Sequence, residues 1–431
     1  MMRNKFKSLI CITSFALSPL SFAQVVNLNE AKVIEMALKR NEAMGISQAE
    51  IEIANSKIDA ATSSLLPTLS IQAQVQKSSG RGNAAPNAYD WNERATIGVS
   101  QPIYTFGKIS SAIDIAKVSQ KISKSQALAT KADIVNTARK LYYRVLFSSD
   151  ILRVSKESFE NANQNKKTLE KRVAYGRISR NDNLKMQADV ASRKPLLIDS
   201  EKNLNIAKFD LMNFINIPES SELNLEVNSL RKVSLSEDDG LSTVENNIDI
   251  KILTENLKLS ELAVDNERSN RMPTLSAFAN FTPSNYKDGF LGDKIKDQKD
   301  LTFGVMFTFE WPFGGSLNDA VQIKKTQSRI AKLQLDMETR NQRVKLLKLY
   351  RQKESLERKL ESELRAIELA LSSYKVSLGA FATGGVSQLQ LNDSELLLTN
   401  NKINYAGTKL ELLNTMVDIQ RIKTESSKRG E

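Results

Sequence analysis

The chain contains no histidine, and its single cysteine, Cys11, lies near the N-terminus. Without histidine there is no Ser-His-Asp or Cys-His relay, and no imidazole ligand for zinc. One cysteine excludes an intrachain disulfide and a thiolate metal cluster. Helix breakers are scarce as well, with 17 glycines and 9 prolines in 431 residues, against usual shares of about 7% and about 5%. Long, uninterrupted helices follow from that shortage. There is no paired acid–base constellation and no glycine-rich phosphate loop, so the sequence points away from an enzyme and calls for no cofactor.

The first residues supply a different signal. Arg3, Lys5 and Lys7 precede a mostly apolar stretch from Ser8 to Leu20, and Ser21-Phe22-Ala23 offers small residues at the cleavage positions. This is the pattern of a secretory leader covering residues 1–23, cut before Gln24. Cys11 leaves with it, so the mature chain has no cysteine. No later segment is continuously apolar over the roughly 18 residues that a membrane helix needs. An exported chain of this kind either stays in solution or enters a membrane through a β-barrel, the one other structure that satisfies its backbone in lipid.

Charge does not redirect this reading. Lys and Arg number 61 against 50 Asp and Glu, a net of +11. The positive residues are spread along mixed-charge stretches such as Arg340–Arg365, with no compact basic patch carrying interleaved aromatics, so nucleic acid is not expected as a partner.

An internal repeat organises the chain. Pro67-Thr68-Leu69-Ser70 recurs as Pro273-Thr274-Leu275-Ser276, and Thr96-Ile97-Gly98-Val99 recurs as Thr302-Phe303-Gly304-Val305, both at an offset of 206. Phe106-Gly107 recurs as Phe313-Gly314, and Gly176-Arg177-Ile178-Ser179 recurs as Gly384-Gly385-Val386-Ser387 at an offset of 208. The order and near-constant spacing mark a duplication. The first repeat is placed at 24–221 and the second at 241–423. A polar linker or equatorial region joins them over 222–240, and 424–431 form a tail.

Each repeat reads alike: a helix ended by a proline, two strands around a polar loop, a very long helix, a Gly-Ser break and a last helix. Leu69, Ile71, Ala73 and Val75 alternate with Thr68, Ser70, Gln72 and Gln74, the period of a strand with one apolar face. Phe303, Val305, Phe307, Phe309 and Trp311 do the same. Strands are expected at about 68–77, 94–104, 274–282 and 301–311, and each is long enough to cross a membrane when tilted. Trp91, Tyr104, Trp311 and Phe313 fall at or near the strand ends, where interfacial aromatics would sit in outer-membrane lipid. Long helices are expected at about 108–174 and 316–381, and shorter ones at about 182–215 and 388–423. An apolar stripe runs through Val118, Ile122, Tyr142, Val145 and Leu169, and a helix that long needs neighbours along its length, as in a coiled-coil bundle. Four strands cannot close a barrel, so several chains must pool theirs.

With those parts in place, the chain resembles the outer-membrane efflux proteins of the TolC family. The resemblance is carried by Gln101-Pro102-Ile103-Tyr104-Thr105-Phe106-Gly107-Lys108 with its match Glu310-Trp311-Pro312-Phe313-Gly314-Gly315, which is similar to the family's strand-to-helix turn. Tyr175–Leu184 is similar to its Gly-x-x-Ser-x-x-Asp-x-Leu helix hairpin, and the duplicated element order completes the likeness. The resemblance implies a mainly α homotrimer with a 12-stranded outer-membrane barrel continuous with a periplasmic coiled-coil tunnel. It implies a Gram-negative outer-membrane location, and an exit duct for tripartite efflux or type I secretion. The implied partners are a periplasmic adaptor (membrane fusion) protein and an inner-membrane RND or ABC transporter.

The resemblance also implies sites. The family's tip constriction, carried over to the second Gly-Ser break, falls on Gln390 and Asp393, of which Asp393 alone keeps a carboxylate. The first-hairpin latch falls on Asp182, whose family partners would be Val386 and Phe381, both changed, so that an N-cap role after the Gly-Ser turn is the expectation there. Adaptor docking falls on the hairpin tips Gly176, Arg177, Ile178, Ser179 and Gly384, Gly385, Val386, Ser387, which also serve as plain helix-reversing turns. Two readings from other classes stand beside the duct. One is an exported coiled-coil scaffold, and the other a trimeric adhesin, although an adhesin gathers its strands at the C-terminus and here the hairpins lie about 206 residues apart.

Overall fold

The computed structural model describes residues 25–79, 89–174, 180–225, 244, 246–288, 294–310 and 314–423. The described elements run β1 (Val25–Leu28), α1 (Glu30–Arg40), α2 (Glu42–Ser63), β2 (Thr68–Ser79), β3 (Tyr89–Tyr104), α3 (Lys108–Ala174), α4 (Arg180–Phe214), β4 (Glu222–Leu225), α5 (Ile248–Ser269), β5 (Thr274–Asp288), β6 (Lys294–Thr308), α6 (Ser316–Thr383) and α7 (Gln388–Ile422). The helix–hairpin–long helix–helix order occurs twice. α3 has 67 residues and α6 has 68, each about 100 Å long at 1.5 Å per residue.

Local chemistry sets the element ends. Asn29 caps α1 by accepting from the Lys32 backbone at 2.9 Å. Asn41 ends α1 and starts α2, accepting from Ala43 N at 3.0 Å while its own backbone N–H bonds Ala37 O. Asn247 caps α5 in the same way, accepting from Asp249 N at 2.8 Å. Pro67 and Pro273 follow the ends of α2 and α5 and turn the chain into strands. α6 ends at Gly384, whose φ of 91° is the left-handed cap that only glycine adopts freely.

The four long strands form one antiparallel sheet in the order β2-β3-β5-β6. Their register aligns Leu69, Val99 and Ala279, then Ile71, Ile97 and Phe281. Phe303 pairs with Ala279 and Phe307 with Leu275, so most apolar residues of the four strands share one face, with Phe278 and Met306 on the other. Several strand ends differ from expectation. β3 begins at Tyr89, β5 continues to Asp288 and β6 starts at Lys294, so much of the stretch read as a polar loop is paired strand. The ladder bonds are made by backbone and continue through polar side chains. β6 ends at Thr308, short of residue 311, and α4 starts at Arg180.

A second sheet was not legible in the sequence. β1 and β4 pair in parallel, Val25 with Glu222 through Leu28 with Leu225, so the segment read as a linker opens on a strand. Behind it lies the largest core, where Leu28, Val33, Ala37, Ala138, Tyr142, Val145, Leu211 and Ile215 are buried together. A smaller cluster of Val244, Leu346, Ile419 and Ile422 holds the corresponding place in the second repeat. A third joins α3, α4, α6 and α7 near the hairpin breaks through Leu169, Met186, Ala370, Tyr374, Phe381, Leu391 and Leu398.

Candidate channel wall and tunnel tip

The sheet is built to separate two environments. On one face Ile71 is 72% exposed, Leu301 69%, Phe303 78% and Phe307 65%. Among the described residues nothing covers this row of aliphatic and aromatic side chains, and water is a poor solvent for so much contiguous apolar surface. The other face carries mainly small or polar residues: Ser70, Gln72, Gln74, Thr96, Gly98, Ser100, Asn280, Thr302 and Gly304. Thr96 and Thr282 bring their hydroxyls to 3.3 Å across β3 and β5. Gly98 is fixed by its surroundings, since a Cβ there would lie 2.6 Å from Asn280 Oδ1 and 3.0 Å from Ser70 Oγ.

A tight turn links this sheet to the helices. Phe106 and Gly107 both take positive φ, 48° and 88°, and the Tyr104 and Phe106 rings meet edge to face at 4.5 Å. Tyr104 is 57% exposed beside the sheet. Trp91 lies in β3 opposite Lys77 and Lys287, and its side chain is outside the described residues. Trp311 and Phe313 also lie outside them.

At the far end, the second hairpin break is described and the first is not. Gly176, Arg177, Ile178 and Ser179 lie outside the described residues. In the second break, Gly384 N donates to Phe381 O at 3.2 Å and Gly385 N to Ala380 O at 2.8 Å, which closes α6. Ser387 then opens α7. Its Oγ accepts from Gln390 N at 3.3 Å, and Gln390 Oε1 accepts from Ser387 N at 2.9 Å. This reciprocal capping box ties the Gln390 side chain to the helix start, a use that the sequence reading did not assign to it. Asp393 lies on the exposed face of α7, while Leu391, Ser394, Glu395 and Leu398 face inward. Asp182 is the third residue of α4. Its side chain lies outside the described residues. Val386 packs against the tip cluster with Phe381.

Two arrangements went unnoticed in the sequence. Arg193 and Glu395, on separate helices and 202 positions apart in the chain, form a buried ion pair at 2.7 Å. At the waist, Glu30 accepts from Tyr143 Oη at 3.0 Å and sits 2.9 Å from Arg139 Nε. Burial beside Glu30 pushes the Tyr143 hydroxyl above its usual range, so it remains a donor. A charged residue on a polar helix face gives no sequence signal of this kind, because the partner is set by packing.

Residues 33–216, nearly the whole first repeat, match the family model described as Outer membrane efflux protein. The second repeat has the same element order. The first repeat belongs to the outer membrane efflux protein family. It is a family of outer-membrane transport channels, in keeping with the exposed apolar sheet face; among the described residues no helix is long and apolar enough to cross a membrane. Solved structures show the same fold. CusC is 13% identical with a TM-score of 0.80, covering 99% of both chains. The Campylobacter jejuni outer-membrane channel CmeC is 15% identical with a TM-score of 0.80, covering 99% of this chain and 95% of its own. VceC of Vibrio cholerae is 15% identical with a TM-score of 0.77, covering 92% and 96%. No curated protein matches the sequence significantly.

Proposed function

We propose that three copies of this chain form a passive exit duct, each adding four strands to a 12-stranded barrel and four helices to a periplasmic tunnel. The observation that carries this reading is the sheet. Its order leaves β2 and β6 as outer strands, of 12 and 15 residues, and its apolar face is uncovered. Long open edges in lipid leave backbone groups unsatisfied, and closure with neighbouring copies satisfies them. Four strands are too few for a barrel, whereas twelve fall within the known range. A coiled-coil scaffold without a barrel would leave the apolar face unexplained. No catalytic step is assigned to the chain.

In this reading Asp393 forms a ring of three carboxylates at the tip constriction, with Gln390 holding the helix start beneath it. Like charges crowded on an axis attract cations and resist close approach. The hairpin tips around Gly176–Ser179 and Gly384–Ser387 receive a periplasmic adaptor. The adaptor couples the duct to an inner-membrane pump of the RND or ABC class, and the pump selects the cargo, small molecules or a secreted protein. Trp91, Tyr104, Trp311 and Phe313 seat the barrel at the lipid surface.

The deciding experiment is fractionation followed by gel analysis. A heat-modifiable trimer in the outer-membrane fraction is expected, and a soluble periplasmic monomer would sink the duct. Deleting the gene, then scoring drug sensitivity and the secreted-protein profile, separates efflux from secretion.

A further inference from the structure

The polar face of the four-stranded sheet has one apolar spot. Phe278 of β5 stands between Ser100 of β3 and Gly304 of β6. One row nearer the helices, Pro102, Ser276 and Met306 lie side by side. Phe278, Pro102 and Met306 are therefore grouped around Ser276, at diagonal spacings of about 7 Å that a ring or a thioether can span. The spot sits at the end of the sheet where β3 leads into α3, β5 follows α5 and β6 leads towards α6. Among the described residues of this face, the charged side chains Asp300 and Arg94 lie two and three rows further along, level with Thr282 and Ser284.

The ring is laid along the wall. A Cβ on Gly304 would stand 3.3 Å from Phe278 Cζ and 3.4 Å from its Cε1, so the ring occupies the space that the glycine leaves. Asn280 leans the other way, over Gly98. Met306, beside the ring, is 50% exposed. The folding of a hairpin does not require this spot. At the repeat offset of 206 the first repeat has Gln72 in place of Phe278, Ser100 in place of Met306, and Thr308 answers Pro102 in the second. The first hairpin forms its ladder without them.

We propose that Phe278, flanked by Met306 and Pro102, is a binding station for planar aromatic small molecules passing from the helical tunnel into the barrel. The inference rests on the trimeric duct reading, in which this face lines the lumen and each chain contributes one station. A ring laid flat offers its face to a stacking partner, and a thioether beside it adds soft contacts to an aromatic edge. Passage needs a site that holds its cargo and then lets it go. A single ring among neutral amides and hydroxyls meets both demands, because stacking alone is weak.

Block of single channels by ethidium, a planar aromatic cation, tests the station in planar bilayers. The half-blocking concentration is expected to rise about fivefold in Phe278→Ala. Phe278→Leu, which keeps apolar bulk and loses the ring, is expected to show the same rise. Phe278→Tyr, which keeps the ring, is expected to restore the wild-type value. Gln74→Ala lies on the same face about 20 Å further along the strands, and is expected to block like wild type. Each variant is first checked as a heat-modifiable trimer, and Phe278→Leu carries the test should Phe278→Ala fail to assemble. A Phe278→Leu channel blocked as readily as wild type overturns the station, and so does an equal loss of block in Gln74→Ala. Wild-type protein that forms no channel overturns the duct reading, and the station falls with it.

Discussion

Asn247 donates its side-chain amide to the carbonyl of Ile422 at 2.6 Å, and Asn41 makes the same bond to Phe214 at 3.1 Å. Asn41 and Asn247 are 206 positions apart, and Phe214 and Ile422 are 208 apart. Each asparagine caps an ascending helix while satisfying the end of a neighbouring one, which stacks α2 on α4 and α5 on α7. The duplication is thus preserved in a hydrogen bond as well as in element order.

Those asparagines carry a stability prediction. Replacing Asn247 with alanine removes a helix cap and leaves a buried carbonyl without its donor. The expected loss is about 2 kcal/mol. Asn41→Ala is expected to cost less, about 1 kcal/mol, because its site is only partly buried. Denaturant unfolding of the purified variants checks the ranking, and equal, negligible losses would contradict it.

Glycine positions give a paired test. Gly98→Val forces side-chain atoms against Asn280 and Ser70 in the middle of the sheet. Loss of most heat-modifiable trimer is expected. Gly45→Ala is the control, since it lies inside α2 with nothing within 4 Å of the added carbon, and it should stabilise by up to about 1 kcal/mol. Trimer yield on gels reads both.

The legible part of this architecture follows period and punctuation. The alternation of Leu69, Ile71, Ala73 and Val75 placed a strand with an apolar face, and the stripe from Val118 to Leu169 placed a helix, because each pattern is local. The β1–β4 pairing was not legible, because four residues at Val25 carry no sign of a partner at Glu222. The ends of the strands were blurred where polar residues continue a backbone ladder. At the tip, Asp393 stood out through family likeness. Glu395, two residues further on, looked like another solvated acid, and only packing shows it turned inward.

Glu395 also gives the fold a pH dependence. Burial, opposed by Arg193 and reinforced by Asp189, raises its carboxyl above the ordinary value of 4.5. A carboxyl raised in the folded state contributes stability below its unfolded value. That contribution is lost as pH rises through the folded value. Wild type is therefore expected to lose stability relative to Glu395→Gln between pH 4.5 and the raised value. Unfolding measured in parallel across that range tests this, and a constant difference between the two proteins would count against it.

The constriction assignment has its own test. Asp393→Ala is expected to raise single-channel conductance in planar bilayers and to reduce cation preference, since it removes three charges from the axis. Ser387→Ala, which breaks the capping box, is expected to cost about 1 kcal/mol in stability and leave ion preference unchanged. A shift in selectivity with Ser387→Ala but none with Asp393→Ala would move the constriction elsewhere.

The parallel pairing of β1 with β4 bears on how the chain matures. Val25 finds Glu222 only after nearly two hundred intervening residues have crossed the inner membrane. The residues of the waist core behind that sheet belong to the first repeat, from Leu28 to Ile217, except Leu223 of β4, which opens the stretch that follows it. An exported chain emerges N-terminus first, so this half can complete its own core while the second is still being delivered. In the finished sheet the hairpin β5–β6 joins the first repeat along the β3 edge.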